Sequence, residues 1–218
     1  VIFDPDQALP QYIIHFSDTK TVPSPSTLTR QPITIKNMKA TRVVDFTDPF
    51  EMFSNFAESH FRRMAAKTNL QPATISSIDI VINKNLERKF EATKRFFKSL
   101  NVPDDEILAY HGTPSANIPS ILQNNLQLDF AKRQAYGRGN YFSEFPAVSL
   151  RYGDGLLLCR ILPGKEFVDS TESDIPLGYN SKKVLLRNQA GNGATNASGK
   201  MIIIEESDQI LPFFVIYR

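Results

Sequence analysis

The stretch GRGNYFSEFPAVSLRYG, residues 137–153, puts a turn, a strand and a helix entry close together. Gly137 and Gly139 give the chain a tight turn. Tyr141-Phe142-Ser143 is β-rich, and Phe145-Pro146 is a helix start, with proline where a missing N–H costs nothing. A helix from there puts Ser149 and Tyr152 on one face. The Gly137-x-Gly139 pair lacks the strand–turn–helix setting of a dinucleotide fingerprint, so it is read first as a turn. Immediately upstream, Gln127 to Gly139 is polar and basic, as a loop is. Ser115 to Leu126 carries Ile118, Ile121 and Leu122 at helical spacing, and Ile107 to His111 is a strand ending in His111-Gly112-Thr113. Downstream, Leu156–Leu162, Glu166–Val168, Met201–Ile204 and Phe213–Tyr217 are further strands. Ser170 to Lys200 is irregular, and its 190–199 part, AGNGATNASG, has the composition of a mobile loop. Short strands with interspersed helices predict an α+β class: a mainly antiparallel sheet with its helices on one side.

Towards the N-terminus, Asp48-Pro49 is a helix entry. Phe50, Phe53, Phe56, His60, Phe61 and Met64 then recur at helical spacing up to about Lys67. Residues 75–82 are β-rich, and Leu86, Phe90, Phe97 and Leu100 mark a second helix. Thr34 to Phe46 alternates weakly, as a short strand does. Residues 17–30, SDTKTVPSPSTLTR, have the composition of a linker, which makes 31–218 the main domain. Residues 1–16 align without gaps on residues 203–218, DQALPQYIIHF against DQILPFFVIYR. Two architectures fit this duplication. The chain starts in the last strands of a preceding similar domain, or residues 1–16 add strands to this domain's own sheet. Chance likeness between hairpins is the plain alternative.

Composition narrows the function. Of 218 residues, 41% are hydrophobic and 22% charged, ordinary values for a globular domain. A net charge of +2 without a basic block gives nucleic-acid binding no support. The longest apolar runs are a few residues, too short for a membrane span. A single cysteine, Cys159, and three dispersed histidines exclude an internal disulfide and a Cys-rich zinc site, so no metal is expected. Cys159, in an apolar strand, reads as a small buried hydrophobe and His60 as a packing or surface residue. The absence of a leader-like segment and the cysteine usage set an expectation of an intracellular protein, cytoplasmic or nuclear.

Three pieces in order carry chemistry: His111-Gly112-Thr113, Gly137-x-Gly139-x-Tyr141-Phe142-Ser143 and Ser149-x-x-Tyr152. Together they suit a flat amide ligand attached to a sugar. Glycine at 112 lets a backbone N–H and C=O approach a carboxamide. Ser149 adds a hydroxyl, Tyr152 a face for an electron-poor ring, and His111 a polar ring for a ribose hydroxyl. Singly, each has a commoner use as a strand end, a turn or a half-buried aromatic. Their joint order and spacing carry the reading.

These residues resemble the catalytic domain of the poly(ADP-ribose) polymerase family, the diphtheria-toxin-like ADP-ribosyltransferases. The resemblance runs from about Asn83 to Arg218 and is densest over HGT, GRGNYFSEFPAVSLRYG and LLLCRILPGKEF. It implies that the sheet is split, and it implies NAD+ as co-substrate, contacted by His111, Gly112, Thr113, Tyr136, Tyr141, Ser149 and Tyr152. It makes Gln127–Tyr136 the donor loop, with Lys132 and Arg133 towards the diphosphate. His111 and Tyr141 match the first two members of a His-Tyr-Glu catalytic triad. The third falls on Met201, eight residues before Gln209, where polymer-forming members carry glutamate. A thioether supplies no charge to orient an acceptor hydroxyl or steady a cationic transition state. Glu205 and Glu206 are placed at the far end of that strand.

The resemblance therefore implies transfer of one ADP-ribose unit, with release of nicotinamide, to an acceptor protein. The donor site itself leaves a nucleic-acid end open as acceptor. The alternative is a pseudoenzyme that binds NAD+ or ADP-ribose without turnover and acts as an interaction module.

Overall fold

The computed structural model describes residues 11–17, 49–68, 75–128, 135–185 and 200–218. The strand expected in 34–46, the Asp48 cap, residues 1–10 and most of the linker lie outside them, as do Lys132, Arg133 and the 190–199 loop.

Among the described residues the sheet has nine strands: β1 (Gln11–Ser17), β2 (Ser77–Asn83), β3 (Ile107–Thr113), β4 (Asn140–Ser143), β5 (Gly155–Ile161), β6 (Glu166–Val168), β7 (Ser181–Leu185), β8 (Lys200–Ile204) and β9 (Ile210–Tyr217). Their spatial order is β1-β2-β9-β5-β3-β4-β8-β7-β6. Every pairing is antiparallel except β6 with β7. β1 lies on β2 from Gln11↔Asn83 to Ser17↔Ser77. β7 falls inside the stretch expected to be irregular. Its Ser181-Lys182-Lys183-Val184-Leu185 alternates too little to read as a strand, and it is held by pairing with β8 and β6 on either side.

Among the described residues, four α-helices pack on this sheet: α1 (Pro49–Ala66), α2 (Lys84–Ser99), α3 (Ile118–Asn124) and α4 (Pro146–Ser149). α2 starts cleanly because the Asn83 side chain accepts the N–H groups of Asn85 and Leu86, satisfying two of the donors left open at a helix start. The same amide donates to the Leu122 carbonyl at 2.9 Å and ties α2 to α3. Leu100 lies past the end of α2 and is 58% exposed. It is not part of the buried stripe, which is Leu86, Phe90 and Phe97.

The helices cover both faces of the sheet, not one. Consecutive residues of β5 point to opposite sides. Leu156 and Leu158 pack with Ala57, Phe61 and Met64 of α1, whereas Leu157, Cys159 and Ile161 pack with Ile118, Ile121 and Leu122 of α3. An uninterrupted apolar run such as Leu156–Cys159 leaves no polar face for water, so each side needs a cover. Cys159 is fully buried here, and burial pushes its thiol far above the ordinary range. His60 is likewise buried on α1, its Nδ1 2.8 Å from the Tyr110 hydroxyl.

The sheet is split at its centre. β3 and β5 pair along seven residues, but β3 and β4 meet only at Tyr110↔Ser143. Beyond that point β4 pairs with β8 alone, and the split leaves the last residues of β3 at a candidate cleft between the two half-sheets.

Candidate active site

The cleft is set by the alternation of β3. Tyr110 directs its carbonyl away from β5, where it accepts the Ser149 hydroxyl at 2.9 Å. Gly112, two residues on, directs its own N–H and C=O to that same side. Among the described residues no strand pairs with Gly112 there. The backbone thus offers a donor and an acceptor side by side at the mouth of the split. Ser149 is buried, and its proton is committed to Tyr110, so its remaining capacity is to accept. Donor, acceptor and hydroxyl match the C=O and NH2 of a primary carboxamide.

The glycine itself is required for a different reason than the sequence suggested. A Cβ on Gly112 would lie 1.8 Å from the Ser149 carbonyl oxygen. The α4 backbone occupies the place of the missing side chain. A Cβ on Gly153 would come within 2.3 Å of the Thr113 carbonyl oxygen. The two glycines let the end of β3 and the chain after α4 interlock. Gly153 was not singled out from sequence, although it directly follows the Tyr152 motif.

α4 is a single turn ending at Ser149, so Tyr152 is not on the helix. It sits in the following turn, held by its N–H on the Ser149 carbonyl at 3.0 Å, with its side chain 42% exposed. An exposed ring at the cleft edge is available for stacking. Thr113 is buried, and its hydroxyl accepts from the Asn117 side chain at 3.1 Å, bracing the turn that leaves β3.

His111 lies 2.9 Å through Nδ1 from the Tyr141 carbonyl. A carbonyl only accepts, so Nδ1 carries the proton and, in the neutral ring, Nε2 keeps a lone pair. Burial holds the His111 pKa below the ordinary value of 6.5, partly opposed by that hydrogen bond. The neutral acceptor form is therefore the one present at neutral pH.

Tyr141, on β4, donates its hydroxyl to the Gly137 carbonyl at 2.6 Å and accepts the Tyr136 N–H at 2.9 Å. Burial raises its pKa, and Tyr152 stands close enough to add to the shift. The phenol thus closes the turn that follows the polar loop and fixes Tyr136 beside the cleft.

Met201 pairs with Ser143 across β4 and β8. It is buried with Val184 and Ile203, and Tyr136, Tyr141 and Val148 pack against this cluster. Glu205 and Glu206 follow β8 at its other end, beyond the Asn140↔Ile204 pair. Burial raises the pKa of Glu205, while Arg138 pulls it back down. The structure thus brings His111, Gly112, Tyr141, Ser149, Tyr152 and Met201 around one split, and places both glutamates away from Met201. Among the described residues no group of three or more His, Cys, Asp or Glu side chains could hold a metal ion, and no helix is long and apolar enough to cross a membrane.

A split antiparallel sheet with this cleft is the fold of an ADP-ribosyltransferase catalytic domain. The family model of the poly(ADP-ribose) polymerase catalytic domain matches residues 51–215, and the chain belongs to that family. The match begins inside α1, upstream of Asn83, where the sequence resemblance was taken to start. No curated protein matches the chain. Domains of this family take ADP-ribose from NAD+.

Proposed function

We propose that this domain transfers a single ADP-ribose from NAD+ to a side chain of an acceptor protein and releases nicotinamide. In this reading the nicotinamide carboxamide takes the Gly112 N–H and C=O, and its NH2 also donates to Ser149 Oγ. Tyr152 covers the ring. His111 Nε2 accepts a ribose hydroxyl. The bond from ribose to nicotinamide breaks, its electron pair leaves with nicotinamide, and the cationic sugar carbon is attacked by the acceptor. A carboxylate acceptor supplies both the nucleophile and the negative charge that this site lacks. The contribution of the protein is orientation: it holds the leaving group and the ribose in fixed relation.

The observation that carries the limit to one unit is Met201, buried in an apolar cluster at the position where an acidic side chain would orient an acceptor ribose. A second reading, NAD+ binding without turnover, draws on the same residue. Incubation with labelled NAD+ tests both, with protein label and free nicotinamide measured together. Discrete labelling with matching nicotinamide is expected. A ladder of growing product overturns the limit to one unit. Tight NAD+ binding with neither label nor nicotinamide favours the second reading, and no NAD+ binding overturns both.

A further inference from the structure

Lys182 is a lysine with no exposed surface, on β7, outside the cleft residues. Buried lysines are uncommon, because an ammonium must replace its whole hydration shell. Lys182 replaces it with oxygen atoms of one loop. Its Nζ donates to the carbonyls of Thr171 and Ser173 at 2.7 and 2.8 Å and to Ser173 Oγ at 2.9 Å, with Asp169 Oδ2 at 3.1 Å. Asp169 in turn accepts the hydroxyls of Thr171 and Ser173, both at 2.6 Å. Residues 169–173 are therefore folded around the ammonium.

The pinned loop abuts the turn that Tyr141 holds. Gly137 has φ 100°, and a Cβ there would meet the Ser173 carbonyl oxygen at 2.1 Å. Asp174 accepts the Arg138 N–H at 3.1 Å. From the other side, the Gly137 carbonyl receives the Tyr141 hydroxyl. Tyr141, Ile203 and Lys182 are opposed in one row across β4, β8 and β7, so all three side chains point to the same face. The Gly137-Arg138 turn is clasped between a phenol and a loop, and both are anchored on this row.

We propose that Lys182 is a positioning residue for NAD+, acting through residues 169–174 to fix the Tyr136–Arg138 turn against Tyr141. The inference rests on the reading of the cleft as an NAD+ site. The carboxamide contacts, Gly112 and Ser149, are held by β3 and α4 and do not depend on this clasp. If NAD+ also contacts Tyr136 and Tyr141, as the resemblance implies, loss of the pin weakens NAD+ and spares a ligand that uses the carboxamide contacts alone.

The test is calorimetric titration of the wild-type chain, Lys182→Met and Asp174→Ala with NAD+ and, separately, with nicotinamide. Asp174 is exposed, so its variant keeps the fold even where Lys182→Met does not. The expected result is an NAD+ dissociation constant raised about tenfold in both variants, with nicotinamide affinity unchanged. Wild-type affinity for NAD+ in both variants, or in Asp174→Ala alone where Lys182→Met does not fold, overturns the role of the clasp and leaves the NAD+ site standing. Equal loss of both ligands also overturns it, since that is the mark of a general structural role. A wild-type chain that binds neither ligand overturns the site reading, and this inference with it.

Discussion

The carbonyl oxygen of Ser149 occupies the space where residue 112 would carry its Cβ, 1.8 Å from that position. Gly112→Ala consequently forces α4 off β3. The Ser149 hydroxyl cannot then reach the Tyr110 carbonyl at 2.9 Å, and the carboxamide contacts separate. The expected cost is about 1–3 kcal/mol of stability, the range for overpacking, together with loss of detectable nicotinamide binding. Chemical denaturation and calorimetry on the same preparation check both.

In the proposed function the His111 ring binds as a neutral acceptor, and burial holds its folded pKa below 6.5. A depressed pKa means that the neutral form is favoured in the folded state. NAD+ affinity is therefore full above pH 6.5 and is lost as pH falls through the folded value. His60, depressed by burial and by Arg63 and Lys67, removes folding stability in the same direction. Affinity should be titrated from pH 8 downwards, with circular dichroism confirming the fold at each step. His111→Ala should abolish labelling at all pH values while the protein stays folded. Unchanged labelling would show that the cleft is not where NAD+ binds.

Tyr141→Phe removes one donor and one acceptor at once, leaving the Gly137 carbonyl and the Tyr136 N–H without their partner. Gly137 is buried and Tyr136 half-buried, so water replaces little of the loss, and the stability cost should be about 1–3 kcal/mol. The larger effect is expected on NAD+ affinity, because the turn beside the cleft loses its closure. Comparing melting temperature with the NAD+ dissociation constant separates the two.

Met201→Glu places a carboxylate among Val184, Ile203 and Tyr136. Burial there raises its folded pKa above that of the unfolded chain. The sign of the linkage follows: the penalty is small at acid pH and grows as pH rises through the ordinary glutamate range. Melting curves at pH 5 and pH 8 should show the variant closer to wild type at pH 5. Met201→Leu, of similar volume and polarity, should cost under about 1.5 kcal/mol and retain labelling.

Local chemistry made much of the site legible. The order His111-Gly112, Gly137-x-Gly139-x-Tyr141, Ser149-x-x-Tyr152 pointed to one cleft, and the register counted from Gln209 put Met201 at the third position. The first is a matter of turn residues and spacing that a sequence carries directly, and the second is what the family resemblance implies. Other parts were hidden. β7 reads as loop because Lys182 interrupts its apolar pattern, and that lysine is tolerated only because the carbonyls of Thr171 and Ser173 come back to meet it. α4 was expected to carry Tyr152, but it ends at Ser149, where the chain must turn to pass beneath Thr113 and enter β5.

By itself the sequence determined the class of the fold, the order of the candidate site residues along the chain and the absence of charge at position 201. These follow from side-chain chemistry and from spacing along one chain. Only the tertiary structure decided which atoms of those residues meet. The open edge of Gly112 exists because β4 leaves β3 after one pair, and the requirement for glycine there comes from Ser149, 37 residues away. Such contacts depend on where distant backbones meet in space, and no local pattern encodes that meeting.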